Sequence, residues 1–193
     1  MVKNYNEVLY ANETIDCKDI ILRRAKIEDA QMVLDKGTDE EVLRYIGWPG
    51  VQTIEEARQS IYDFFWSRPG IWAIEDKKSG RCMGDIIIIL NHEHDRAMMA
   101  YSLAREFWGR GIMTQALAAV IDLCFEKLEL NRVEAMYFVG NEGSGRVMEK
   151  NGMEREGLQR QGMKAKGVYH DTVMHGMTRD MWLERRGERG LEL

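Results

Sequence analysis

Two glycines, Gly109 and Gly111, stand between an alternating run at 96–103 and an amphipathic stretch at 115–128. Glycine lets a backbone turn left-handed and approach a ligand with no Cβ in the way. The helix start behind the turn leaves unpaired N–H groups and a partial positive charge aimed at the same place. Residues 107–114 therefore describe an anion site, whose commonest occupant is a phosphate. The pattern fails as a dinucleotide fingerprint, because Thr114 stands where the third glycine belongs. It also fails as a P-loop, since no Gly-Lys-Ser/Thr follows. Downstream, Asn141 follows a strand-like run at 132–139 and opens a short helical stretch at 142–150, with Ser144 on its first turn. An Asn there is a natural helix cap, and Ser144 adds a hydroxyl.

The other reactive residue types point to less. Cys17, Cys82 and Cys124 are odd in number and widely spaced, with no metal-ligand spacing; they suit a reducing, cytoplasmic compartment. Cys124 falls on the apolar stripe of the 115–128 helix and reads as a buried, inert thiol. His92, Glu93 and His94 sit in a polar turn between two strands and read as solvated, so no metal is expected. Tyr169 and Asp171 alternate on the last strand and read as a structural pair. Trp48, Tyr62, Phe65 and Trp66 could line a pocket, but those on the helix after Thr53 read as core.

These residues need elements to hold them, and 193 residues suffice for one domain with a core. Residues 1–18 read as an extension with one apolar patch, Val8-Leu9-Tyr10, in an edge strand or hairpin arm. Strands follow at 19–25, 71–75, 82–90 and 97–103. The four isoleucines Ile86, Ile87, Ile88 and Ile89 are apolar on both faces, hence central. Helices are expected at 27–35, 40–46 and, from a Thr53/Glu56 capping box, to about residue 67. Strands at 153–158 and 168–177 flank a glycine-containing loop, and 183–193 reads as a frayed polar tail. This is one α+β domain at 19–182, with a mixed, mostly antiparallel sheet flanked by helices. The net charge of −5 is spread along the chain, which speaks against a nucleic-acid partner. The first ten residues lack the apolar run of a leader, and nowhere do 18 apolar residues follow one another to span a membrane.

Strand, glycine turn, long helix, strand, Asn-capped short helix, strand: this order resembles the GNAT superfamily of acetyl-CoA-dependent N-acetyltransferases. The motif wording is similar to the branch containing the RimJ and RimL ribosomal-protein N-terminal acetyltransferases. The resemblance rests on Glu106-Phe107-Trp108-Gly109-Arg110-Gly111 with Thr114, and on Asn141, Ser144 and Glu149-Lys150-Asn151-Gly152. Arg155-Glu156-Gly157 and Tyr169-His170-Asp171 add to it. It implies a three-layer fold whose fourth and fifth strands splay apart around the cosubstrate. It further implies that Trp108, Gly109, Arg110, Gly111, Ile112, Met113 and Thr114 hold the coenzyme A pyrophosphate through backbone N–H groups. Tyr101, Ser102 and Leu103 would pair with the pantetheine arm, and Asn141 and Ser144 would line the arm and the sulfur end.

The implied reaction is direct attack of a primary amine on an acetyl thioester, with a peptide N-terminus or a small amine as acceptor. Polyamine or antibiotic acetylation, and an acyl-CoA-binding module without catalysis, are the alternatives. Three positions depart from the family pattern: Met113 replaces a small residue in the turn, Met98 stands where many relatives carry a Glu base, and Met148 stands where others carry a Tyr acid. Ser144 is the matching hydroxyl left to hydrogen-bond the thiolate. Dimers are common in the family, which leaves a homodimer open.

Overall fold

An eight-stranded sheet runs through residues 4–190, those that the computed structural model describes. In chain order the strands are β1 (Ile15–Asp16), β2 (Ile20–Arg23), β3 (Ile71–Asp76), β4 (Cys82–Asn91), β5 (Arg96–Leu103), β6 (Arg132–Phe138), β7 (Glu154–Ala165) and β8 (Val168–Thr178). The helices are α1 (Tyr5–Ala11), α2 (Ala30–Thr38), α3 (Glu40–Arg44), α4 (Ile54–Ser60), α5 (Ile112–Glu126), α6 (Glu142–Lys150) and α7 (Arg179–Gly190). The sheet order is β1-β2-β3-β4-β5-β6-β8-β7, and among the described residues only β5 and β6 pair in parallel.

Both faces of the sheet are covered, which is why the isoleucine run of β4 is apolar throughout. Ile86 and Ile88 join Trp72, Ile74, α5 and Trp182 of α7 in one core. Ile87 packs with Ile71, Ala73 and the apolar sides of α2 and α4 in a second core. The result is the mixed three-layer α/β architecture that the sequence implies. No described helix is long and apolar enough to cross a membrane.

Several boundaries differ from the sequence reading. Val8-Leu9-Tyr10 is not a strand: α1 is a helix capped by the Asn4 side chain, and Tyr5 and Leu9 bury one helical stripe. α5 begins three residues before 115, because Gly111 itself, at φ 75°, is its N-cap. At α4 only half the capping box forms. Thr53 Oγ1 accepts from the Glu56 N–H, while the Glu56 carboxylate accepts from Gln52 N–H instead of Thr53. α4 then continues as a π turn, Ile61–Phe65. The segment expected as a loop at 159–167 is mostly strand: β7 runs to Ala165 and turns tightly at Lys166 and Gly167, both at positive φ. The tail expected to fray from 183 is helical to Gly190, while residues 1–3 and 191–193 lie outside the described residues.

Candidate active site

β5 and β6 touch only at one end. Arg96 to Met99 register with Arg132 to Ala135, after which the strands separate although β5 continues to Leu103 and β6 to Phe138. This opening lies between β5 and β6, the fourth and fifth strands when the short β1 is set aside. One edge of β5 from Ala100 onward is left without a strand partner, while its other edge pairs with β4.

The opening belongs to a cleft of about 540 Å³. Tyr101, Ser102, Leu103, Trp108, Gly109, Arg110, Gly111, Ile112, Met113, Thr114, Asn141 and Ser144 all line it. The sequence-derived site residues are thus brought together in one place. At the turn, Gly109 and Gly111 both take positive φ, 74° and 75°, and a Cβ on either would meet nothing within 4 Å. That open space is what a backbone N–H cradle requires. Trp108 Nε1 donates to the Leu103 carbonyl at 2.9 Å, folding the turn back onto the strand end. Arg81 pairs twice with Glu106 and lies over the Phe107 ring, bracing the turn from behind. The side chain of Met113 is buried, so it leaves the cradle clear. Arg110, Arg146 and Lys150 add positive charge to the same lining.

Asn141 accepts from the Ser144 N–H at 3.3 Å, acting as the α6 cap. Ser144 Oγ donates to Tyr101 Oη at 2.9 Å, and Tyr101 Oη donates to the Ser144 carbonyl at 3.1 Å. Burial raises the Tyr101 phenol above its ordinary pKa, against a smaller pull downward from Ser144. The phenol therefore stays protonated, and two linked hydroxyls face the opening. Met148 is buried in the core. Met98 stays on β5 beside Ile89 and Glu134.

Sequence reasoning missed three features. The Tyr101 hydroxyl belongs to no sequence motif, since the family resemblance engages that residue only along the strand backbone. α3, through Glu41 and Val42, and the two residues that follow it, Tyr45 and Ile46, supply the far wall of the cleft. Lys36 of α2 and Asp85 of β4, 3% and 5% exposed, form a buried ion pair. Lys36 Nζ also donates to Ser102 Oγ at 2.8 Å, and Ser102 Oγ donates to Asp85 Oδ1 at 3.1 Å. Burial lowers the Lys36 ammonium to about 8. A signal existed, because a carboxylate inside a strand apolar on both faces demands a charged partner.

The remaining candidates fall outside the cleft. Cys124 is fully buried, and burial pushes its thiol up to about 12. The His92–His94 turn is exposed apart from the packing of Tyr5 against the His92 ring. Tyr169 and Asp171 are not a pair: Tyr169 is exposed beneath Lys164, and Asp171 accepts from Gln161 N–H at a bulge in β7. Phe65 is core as expected, Tyr62 is half exposed, and Trp66 donates to the Ala25 carbonyl.

Comparison with known proteins agrees with this geometry. Residues 19–154 match the model of the acetyltransferase (GNAT) domain. The uncharacterized N-acetyltransferase YoaA of Bacillus subtilis is 31% identical over 138 residues, covering 69% of this chain and 78% of YoaA. A GNAT-family acetyltransferase from Bacillus anthracis superposes with a TM-score of 0.78 at 21% identity, over 86% of this chain and 99% of that one. RimL, a ribosomal L7/L12 α-N-protein acetyltransferase solved with coenzyme A, superposes with a TM-score of 0.74 at 23% identity, over 88% and 99%. With the domain match spanning most of the chain and a strand opening that leads to a glycine turn at the start of α5, the protein belongs to the GNAT family of acetyl-CoA-dependent acyltransferases.

Proposed function

We propose that the chain transfers an acetyl group from acetyl-CoA to an α-amino group at a peptide or protein N-terminus. The observation that carries this reading is the through-going cleft. It runs from the anion cradle at α5 to the wall formed by α3, past the free edge of β5.

The residues present fit the cosubstrate. The cradle has room where Cβ atoms would sit, the free edge of β5 offers backbone groups to an amide-bearing arm, and Arg110, Arg146 and Lys150 complement phosphates. When bound, acetyl-CoA supplies an activated acetyl carbon. The protein's own work is to position, to exclude water and to move protons. Backbone N–H groups of β5 facing the opening are placed to stabilise negative charge developing on the carbonyl oxygen. Ser144 and Tyr101 hold a proton for the departing sulfur.

The choice of an α-amine rests on proton energetics. At pH 7, freeing an α-amine of pKa about 8 costs roughly 1.4 kcal/mol, against roughly 4.6 for an amine near 10.4. With Met98 and Met148 at the usual base and acid positions, the cheaper amine is favoured. RimL, a neighbour in fold, carries the α-N-protein description in its name. The test is thiol release from acetyl-CoA across N-terminal peptides, free amino acids, polyamines and aminoglycosides. Peptide α-amines should lead, and Ser144→Ala should cost about 10²-fold in kcat. Fast polyamine turnover without α-amine activity would overturn the acceptor, and an undiminished Ser144→Ala rate would remove that role.

A further inference from the structure

Alternation along β5 separates two sets of side chains at the opening. Tyr101 turns toward α6, where it meets Ser144. Ser102 turns to the other face of the sheet, toward α2, where it meets Lys36 and Asp85. α3, the wall of the cleft remote from the anion cradle, follows α2 directly in the chain. The cleft therefore has one hydroxyl pair toward α6, and one hydroxyl backed by charge toward α2, the helix that leads into the α3 wall.

A buried Lys–Asp pair at a central strand is seldom kept for stability alone, since desolvation offsets much of its attraction. Buried ionisable groups next to a cleft are where functional proton transfers concentrate. The competing carboxylates are exposed or engaged elsewhere. Glu134 of β6 pairs with Arg96 and Arg132, Glu41 of α3 pairs with Arg44 at 3.1 Å, and Glu142 is exposed on the first turn of α6.

We propose that Ser102, backed by the buried Lys36–Asp85 pair, is the proton outlet for the attacking amine. This deepens the acetyl-transfer reading above and rests on it. Ser102 is the catalytic group; Lys36 and Asp85 are positioning residues that act through it. A serine hydroxyl has one donor and two lone pairs. With one lone pair occupied by Lys36 and its own proton on Asp85, Ser102 keeps a lone pair for an incoming N–H.

The protons and electrons balance. The ammonium passes one proton to Ser102 Oγ as Ser102 hands its own proton to the Asp85 carboxylate, and the freed nitrogen lone pair forms the N–C bond as the C–S bond breaks. A second amine proton reaches sulfur by way of Ser144 and Tyr101, and the proton on Asp85 leaves to solvent through Ser102 afterwards. Burial disfavours the Lys36 ammonium while the Asp85 carboxylate bonded to it favours the charge, and the ammonium in turn keeps Asp85 ionised to receive the proton. Of the titratable groups around Lys36, Asp85 and Cys82 come from β4, and Cys82 in turn faces Arg23 and Asp29. α4 packs on α2 with its Arg58 paired to Glu55, and α3 holds Arg44 against Glu41.

The experiment is kcat against pH at saturating acetyl-CoA, with acceptors of different pKa, for the wild type, Ser102→Ala, Ser102→Thr and the balanced double variant Lys36→Met/Asp85→Leu. In the wild type, a rising limb should stay at the same pH whichever acceptor is used, because it belongs to the protein. Ser102→Ala should lower kcat by about 10²-fold or more and make the limb follow the acceptor instead. Its acetyl-CoA affinity by calorimetry should be unchanged, and Ser102→Thr should recover part of the rate. A folded double variant should lose the fixed limb; if it does not fold, the serine variants decide. The inference is overturned by a Ser102→Ala enzyme of normal kcat, by one that loses cosubstrate binding in step with rate, or by a profile that Glu41→Gln flattens and Ser102→Ala does not. Turnover confined to polyamines overturns only the proposed acceptor, and the serine variants are then read on that amine. No turnover of any amine overturns both.

Discussion

Gly84 and Gly111 show how differently one residue type can be used. A Cβ on Gly84 would lie 2.1 Å from the Ser102 carbonyl oxygen and 2.8 Å from Leu103 Cα, so β4 and β5 could pair only by moving apart. A Cβ on Gly111 would meet nothing. Gly84→Ala should destabilise by about 1–3 kcal/mol through overpacking, with Ser102 displaced. Gly111→Ala should cost only about 1–2 kcal/mol for its left-handed backbone. Its larger effect should fall on acetyl-CoA, with a Kd raised about tenfold or more, equivalent to about 1.4 kcal/mol. Urea unfolding and calorimetry on both variants check this; equal affinity for wild type and Gly111→Ala would remove the cradle from the phosphate site. The turn was legible because its chemistry is local: two glycines and a helix start within a few residues. The Lys36–Asp85–Ser102 cluster was not, because its members come from three elements and meet only after the sheet and α2 have packed. Asp85 alone signalled that a partner was needed, and nothing in the sequence named Lys36.

At the scale of elements, the contact of α6 with β8 carries a pH dependence. His175 of β8 is fully buried beneath α6, beside the Tyr137 ring and 3.8 Å from the Glu149 carboxylate, and neither ring nitrogen has a hydrogen-bond partner among the described residues. Burial lowers its pKa below the ordinary 6.5, with Glu149 opposing. Below that ordinary value the unfolded chain takes up the proton before the folded one does. The contribution of His175 is therefore complete above pH 6.5 and lost as pH falls toward the folded-state pKa. His175→Phe should remove this part of the acid sensitivity between about pH 7 and pH 5. Urea midpoints taken across that range test it, and parallel curves for the two proteins would refute it. The same scale shows what periodicity can and cannot reveal. α5 carries a long apolar stripe and was legible apart from its first residues. α1 was misread because a window of three apolar residues has no period, although Tyr5 and Leu9 are spaced as one helical turn. The expected strand at 153–158 ends too early because Gly162 and Gly167 suggest a loop, whereas Gly162 sits within a register shift of a continuing strand.

For the whole molecule, the decisive property is that β5 and β6 are joined at one end and open at the other. A ligand in that opening would touch β5, the turn before α5 and α6 at once, and so would link parts of the molecule that the sheet leaves separate. Asn151 already ties two of them, donating to the Thr114 carbonyl of α5 at 3.2 Å and to the Val147 carbonyl of α6 at 2.9 Å. Acetyl-CoA should therefore stabilise the fold as a unit. At a concentration about 100 times its Kd the linkage is worth about 2.7 kcal/mol, or roughly 5–10 °C in Tm for a chain of this size. The chain is acidic overall at −5, yet Arg110, Arg146 and Lys150 gather along this one lining. The stabilisation should accordingly weaken as salt rises, since exposed charge pairs are screened over about 10 Å at 0.1 M. A pantetheine thioester without the nucleotide should lose that salt dependence, because it keeps the strand-edge contacts and gives up the phosphates. Thermal melts with both ligands at low and high salt separate the two contributions. A Tm that neither ligand moves would mean that the opening between β5 and β6 does not hold the cosubstrate.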